Sequence, residues 1–196
     1  MRKSTCRRTT NETDIQVDFN LDGCGQAEIS TCIRFLDHML EQIAVHGLFD
    51  LTIKANGDLY IDPHHTIEDV GLVLGETINQ ALGDRKGITR MGFASVPMDE
   101  ALGEVTLDFS GRPYCVFIGE WTGTIIGQVP VTLIEHFFYS LSMNMRATLH
   151  VNLRYGRDDH HKAEALFKAL GRSLLAASRI DPRRVDAVPS SKGVLD

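Results

Sequence analysis

The chain has 196 residues, 43% hydrophobic and 23% charged, with 20 Lys and Arg against 26 Asp and Glu for a net charge of −6. That is globular composition for one large domain or two small ones, and the acidic balance argues against a nucleic-acid partner. No apolar run approaches a membrane span, the stretch before Ile15 lacks the apolar core of a signal peptide, and Cys6, Cys24, Cys32 and Cys115 show no CxxC spacing. A cytoplasmic location with free thiols is expected, with no membrane partner.

Ile15, Val17, Phe19 and Leu21 alternate with polar residues, Asp22-Gly23 reads as a turn, and Ala27, Ile29 and Thr31 alternate again. This predicts a hairpin. Residues 34–46 read as a helix with Leu36, Met39, Leu40 and Ile43 on one face. Strands are expected near 48–55 and 58–61, a second helix over about 63–82, and a connection at 83–87. The order then repeats, with strands near 93–97, 104–110 and 114–120, a helix at 130–145, a strand at 148–155 and a helix at 160–179. No Gly-rich phosphate loop accompanies a βαβ alternation. The expected class is α+β, with two similar sheets each backed by helices. The halves run over about 1–87 and 88–182, and the polar tail 183–196 is either loose or a functional flap.

Internal similarity supports the doubling. FLDHML at 35–40 matches LIEHFF at 133–138, and DPHHTIEDVGLVLG at 62–75 matches DDHHKAEALFKALG at 158–171. Asp62, His64, His65, Glu68, Leu74 and Gly75 reappear 96 positions later as Asp158, His160, His161, Glu164, Leu170 and Gly171.

Helical geometry says what the histidines are for. At about 100° per residue His38 lies about 200° from Leu36, opposite the apolar stripe, and His136 is placed likewise in its helix. Measured from Ile67, His64, Glu68 and His65 fall at about 60°, 100° and 160°, one arc beside the apolar stripe, and His160, Glu164 and His161 repeat it. Imidazoles and a carboxylate converging at a helix start are a nitrogen/oxygen metal site. Asp62 followed by Pro63 suits an N-cap with Pro at N1, and Asp158 or Asp159 can cap the second helix. Six histidines and two glutamates in two sets fit two ions, each with about three imidazoles and one carboxylate and with positions open for substrate. Adjacent histidines diverge by about 100°, so they can feed different ions, and shared sites between subunits follow if the halves do not face each other. Spacing alone leaves the metal open among Mn, Fe, Co and Zn. It also leaves a dinuclear hydrolase or a metal-storage scaffold as alternatives.

The ordered segments RRTTNETDI, FLDHML, HGLFDL, HHTIEDVG, ALGDRKGI, SGRPY, EHFF, HHKAEALFKA and PSSKGVL span the chain and resemble the imidazoleglycerol-phosphate dehydratase family, in its monofunctional form. The resemblance implies a tandem pair of four-stranded sheets backed by helices, halves like domain 2 of ribosomal protein S5. It implies a homo-oligomer of 24 subunits built from trimers, and two manganese(II) ions per active site at subunit interfaces. Carried over residue by residue, the metal ligands are His38, His64, His65, Glu68, His136, His160, His161 and Glu164. Glu12, His38, His46, Arg90, Arg112, Ser190 and Lys192 are implied substrate contacts. Arg and Lys suit a phosphate ester, and the Ser190-Lys192 segment would form a donor-rich clamp.

The implied reaction, in histidine biosynthesis, is loss of water from imidazole glycerol phosphate to give imidazole acetol phosphate. The proton to be lost is not acidic on its own. A metal-bridged imidazolate expelling the C3 hydroxyl through a diazafulvene-like intermediate would make it so. Glu12 is then the candidate for proton transfer, with His46 as alternative or helper. His150, in a strand and without a repeat partner, is read as structural.

Overall fold

The expected alternation of Ile15, Val17, Phe19 and Leu21 falls largely in strand β2 (Thr13–Asn20), which buries Ile15, Val17 and Phe19 and turns its other face outward. Its neighbours are β1 (Lys3–Thr9) and β4 (Asp50–Gly57), both antiparallel to it, and β3 (Ala27–Ser30) runs parallel to β4 at the far edge, giving the order β1-β2-β4-β3. The computed structural model describes residues 2–195; Met1 and Asp196, the outermost residues of the first half and of the tail, lie outside the described residues.

Two local expectations fail here. The segments 15–21 and 27–31 do not form a hairpin, because β4 lies between them. After Asp22-Gly23 the backbone N–H groups of Cys24 and Gln26 both donate to Asp50 Oδ1, which steers the chain past β4 to its other side. The true hairpin partner, β1, is a solvated edge strand whose Lys, Ser, Thr and Arg residues carry no apolar alternation. Residues 58–61 are a turn, with Leu59 N–H donating to the Gly57 carbonyl and Ile61 N–H to that of Asp58.

The second half repeats the topology. Strands β5 (Met91–Met98), β6 (Ala101–Asp108), β7 (Tyr114–Ile118) and β10 (Thr148–Tyr155) form a sheet in the order β5-β6-β10-β7, with β7 parallel to β10. A small hairpin of β8 (Ile125–Ile126) and β9 (Val129–Pro130) is added between them. The fold is α+β and duplicated.

Four helices fill the space between the sheets: α1 (Arg34–Gly47), α2 (His64–Leu82), α3 (Val131–Met145) and α4 (Asp159–Ser178). They pair across the halves, α1 with α4 and α2 with α3. Both pairs run parallel, as the glycine contacts show. A Cβ on Gly75 would lie 2.5 Å from the Leu141 carbonyl oxygen, and one on Gly171 would lie 2.7 Å from that of Ile43. The repeated Leu-Gly thus marks the point where each half's second helix meets the other half's first, with no room for a side chain. Around the crossings, Leu74, Ile78, Phe137, Phe138, Leu141, Phe167 and Leu170 are fully buried in one core shared by both halves.

The linker locks the far end of this bundle. Arg85 is 5% exposed. Its guanidinium donates to the carbonyls of Phe109, Met145 and Arg146 and to Asn79 Oδ1. Met145 and Arg146 are the C-terminal end of α3, so a buried cation meets the negative end of a helix dipole.

Candidate metal centres

The cross-half helix pairing decides which of the repeated residues meet. His64 and Glu68, one turn apart on α2, meet His136 of α3: Glu68 Oε2 lies 3.4 Å from His64 Nε2 and 3.3 Å from His136 Nε2. Glu164 Oε2 of α4 lies 3.3 Å from His160 Nε2 and 3.3 Å from His38 Nε2 of α1. Each triad takes two residues from one half and one from the other, and its three ligand atoms lie within 4.8 Å of one another. Metal–ligand bonds of about 2.0–2.2 Å place neighbouring donor atoms about 3.0–3.4 Å apart, which these spacings match. Among the described residues, His136 Nε2 is buried without a hydrogen-bond partner, an orphan that a cation would satisfy. The residues therefore fit divalent ions.

The helix starts are capped from just outside. Asp158 accepts the His160 N–H at 2.8 Å, as expected. Helix α2 begins at His64 rather than at Pro63, and Asp62 accepts the His64 N–H at 2.7 Å.

His65 and His161 belong to neither triad. His65 donates from Nδ1 to Asp58, 3.0 Å from Oδ2, and His161 donates from Nδ1 to Glu100 Oε2 at 2.7 Å. These carboxylates raise the pKa of both rings. Glu100 also accepts the backbone N–H groups of Asp158 and Arg157, and with His161 they hold its pKa down at about 2. The chain thus offers two imidazoles and one carboxylate per centre where three imidazoles were expected.

Glu12 sits on the exposed turn between β1 and β2, with Oε2 3.9 Å from His65 Nδ1. His46 lies half-buried in the last turn of α1, where burial, then Lys168 and Arg172, lower its pKa against the raising effect of Glu164. Arg90 is held by Asp108 through two hydrogen bonds of 2.7 and 2.9 Å and donates to the Pro189 carbonyl. Arg112 is exposed, and Ser190 Oγ accepts the Lys192 N–H. His150 is exposed on β10, away from both triads.

The structure does not bring Arg90, Arg112, Ser190 and Lys192 to the triads of their own chain. The tail borders a groove of about 510 Å³ with Asn79, Gly83, Arg85 and Arg146, at the C-terminal ends of α2 and α3. Asn79 stands eleven positions after Glu68 on α2, or about 16 Å of rise. Four residues that contact the repeated histidines or glutamates were missed from sequence. Gln42 Nε2 lies 3.4 Å from His38 Nδ1, and Lys168 Nζ lies 2.7 Å from Glu164 Oε1. Both stand four residues after their partners, a spacing that could have found them. Asp58 and Glu100 reach His65 and His161 only through the tertiary fold.

The chain matches the family model described as imidazoleglycerol-phosphate dehydratase over residues 31–174. It is 54% identical to the imidazoleglycerol-phosphate dehydratase of Chloroflexus aggregans over 99% of the chain and 95% of that protein. It is 51% identical to that of Nitrosomonas eutropha over the full length of both. The crystal structure of the Staphylococcus aureus enzyme superposes with a TM-score of 0.83 at 34% identity, covering 91% of this chain and 99% of that one. The Pyrococcus furiosus structure, in complex with (S)-C348, gives 0.83 at 37%, covering 97% and 100%. With a duplicated fold shared end to end and relatives above half identity, the chain belongs to the imidazoleglycerol-phosphate dehydratase family, hydro-lyases of histidine biosynthesis.

Proposed function

We propose that the chain converts imidazole glycerol phosphate to imidazole acetol phosphate with two divalent ions, in active sites assembled between copies of the chain. The observation that carries this is the pair of matched His-His-Glu triads. His38, His160 and Glu164 would hold one ion and His64, Glu68 and His136 the other, while His65 and His161 lie outside both triads and would complete centres in neighbouring copies. When bound, manganese(II), the ion implied by the family resemblance, would supply Lewis acidity toward the substrate's imidazole ring.

The chain's own groups do the rest. Glu12, exposed and beyond hydrogen-bond distance of His65, accepts the C2 proton on its carboxylate. His46, its pKa lowered, is neutral near pH 7 and serves as a hydrogen-bond or proton partner rather than as a phosphate-binding cation. Arg112, Lys192 and Ser190 offer donors to the phosphate, together with the part of Arg90 that Asp108 leaves free. Because these donors lie at the far end of the helices, a phosphate held there places the substrate's ring at another copy's triads. This supports a homo-oligomer, of 24 subunits in trimers by resemblance. The halves 1–87 and 88–182 act as one catalytic unit, and the tail 183–196 contacts substrate. No helix of the described residues is long and apolar enough to cross a membrane, and four free thiols suit a reducing cytoplasm.

The test is turnover of imidazole glycerol phosphate before chelation, after it, and after manganese is restored, with native mass measured in parallel. Water loss that disappears and returns with the metal, in an oligomer, is expected. Metal-independent turnover by a monomer overturns the reading.

A further inference from the structure

The two histidines outside the triads are held in the same way by carboxylates from different places. Asp58 lies in the connection from β4 to α2 and is 7% exposed. It receives the His65 Nδ1–H on both oxygens, at 3.0 and 3.2 Å. Glu100 lies in the β5–β6 turn and receives the His161 Nδ1–H at 2.7 Å. An ionised carboxylate can only accept, so in its neutral form each ring carries its proton on Nδ1 and keeps its lone pair on Nε2, where His161 has Asp99 Oδ2 4.0 Å away.

The strand registers show that Asp58 and Glu100 are not counterparts. In the first sheet Lys3 pairs with Asn20, and in the second Met91 pairs with Asp108, so the hairpins correspond at an offset of 88 (91 − 3 and 108 − 20). Glu100 therefore corresponds to Glu12 (100 − 88), and each immediately precedes the second strand of its hairpin. Glu100 is bound to its histidine, whereas Glu12 stops 3.9 Å short of His65, because Asp58 occupies that nitrogen. In the second half the loop 156–158 instead supplies backbone N–H groups of Arg157 and Asp158 that hold Glu100 in place.

We infer that Asp58 and Glu100 are positioning residues that fix His65 and His161 with Nε2 presented outward as metal ligands, and that Asp58 thereby leaves Glu12 free to move a proton. The inference rests on the proposed metal-dependent reading. Carboxylates behind ligating histidines fix tautomer and orientation, and their loss typically costs about 10–100-fold in metal affinity.

The experiment is equilibrium binding of manganese(II) alone to the chelator-stripped, full-length chain, with free ion counted by electron paramagnetic resonance. Wild type, Asp58→Asn, Glu100→Gln and the double variant are compared, together with the metal-free thermal midpoint of each. Two ions per chain are expected for wild type. Each single variant should bind one of the two about tenfold or more weakly, and the double variant both. Variants that bind both ions like wild type, whatever their thermal midpoints, overturn the positioning role and leave the metal reading standing. A wild-type chain that binds no manganese removes both.

Discussion

His136 Nε2 lies 3.3 Å from Glu68 Oε2, although the two residues come from different halves of the chain. Helix α3 crosses α2 in parallel so that the two meet, and the crossing of α1 with α4 repeats the arrangement for His38 and Glu164. A cation in either triad would fasten the halves together.

Metal should therefore stabilise the fold, not only the chemistry. Saturation of one such site at about 100 times its Kd adds about 2.7 kcal/mol. His136→Ala should remove one ion per chain and about half of the manganese-dependent rise in Tm, measured by calorimetry with and without manganese. An unchanged rise would remove His136 from the centre.

The glycine crossings should tolerate no methyl group. Alanine is the better helix former by about 1 kcal/mol, yet a Cβ at Gly75 would press on backbone 2.5 Å away. Gly75→Ala and Gly171→Ala should each destabilise by about 1–3 kcal/mol, read from urea denaturation. Neutral or stabilising effects would show that the helices can move apart freely.

Arg85 supplies the donors at the end of α3. Arg85→Met fills a similar volume but leaves the carbonyls of Phe109 and Met145 and the Asn79 side chain without this partner. A loss of about 3 kcal/mol is expected, seen as a lower urea midpoint at unchanged slope. Because the site is distant from the triads, manganese binding by the folded variant should be unaltered.

Glu12→Gln should leave the metal content intact while kcat collapses. Near-normal turnover would remove Glu12 from the proton transfer.

His46 carries a pH signature. Its folded pKa lies below the unfolded value of about 6.5, so the unfolded chain binds more protons in the window between them. The His46 contribution to stability is thus present above about pH 6.5 and is lost as pH falls through that window. Stability measured from pH 7.5 downward should fall more steeply for wild type than for His46→Gln, and NMR titration should place the ring below 6.5.

Much of this was legible in residues 62–75 and 158–171, where the repeat selected the glutamate of each triad and four histidines, and helical angles set His38 and His136 apart from the core. The angle between adjacent histidines also separated His64 from His65, and the structure sends them to different partners. What the sequence left open was which half's histidine meets which glutamate. Helix pairing decides that, through glycines whose role is visible only once the backbones touch. Strand β1 escaped notice because a solvated edge has no apolar rhythm, and without it β2 was paired with β3. Asp58 and Glu100 escaped because nothing in their spacing links them to His65 and His161.

The interlocked helices have a consequence for how this molecule can change. A duplicated gene usually yields two modules, either of which can be trimmed, swapped or specialised on its own. Here each half's first helix is seated on the other half's second, and every triad is split between them. Residues 1–87 alone would carry pieces of two centres and the whole of neither. The copies have given up modularity, and a change at one crossing must be answered by its partner in the opposite half.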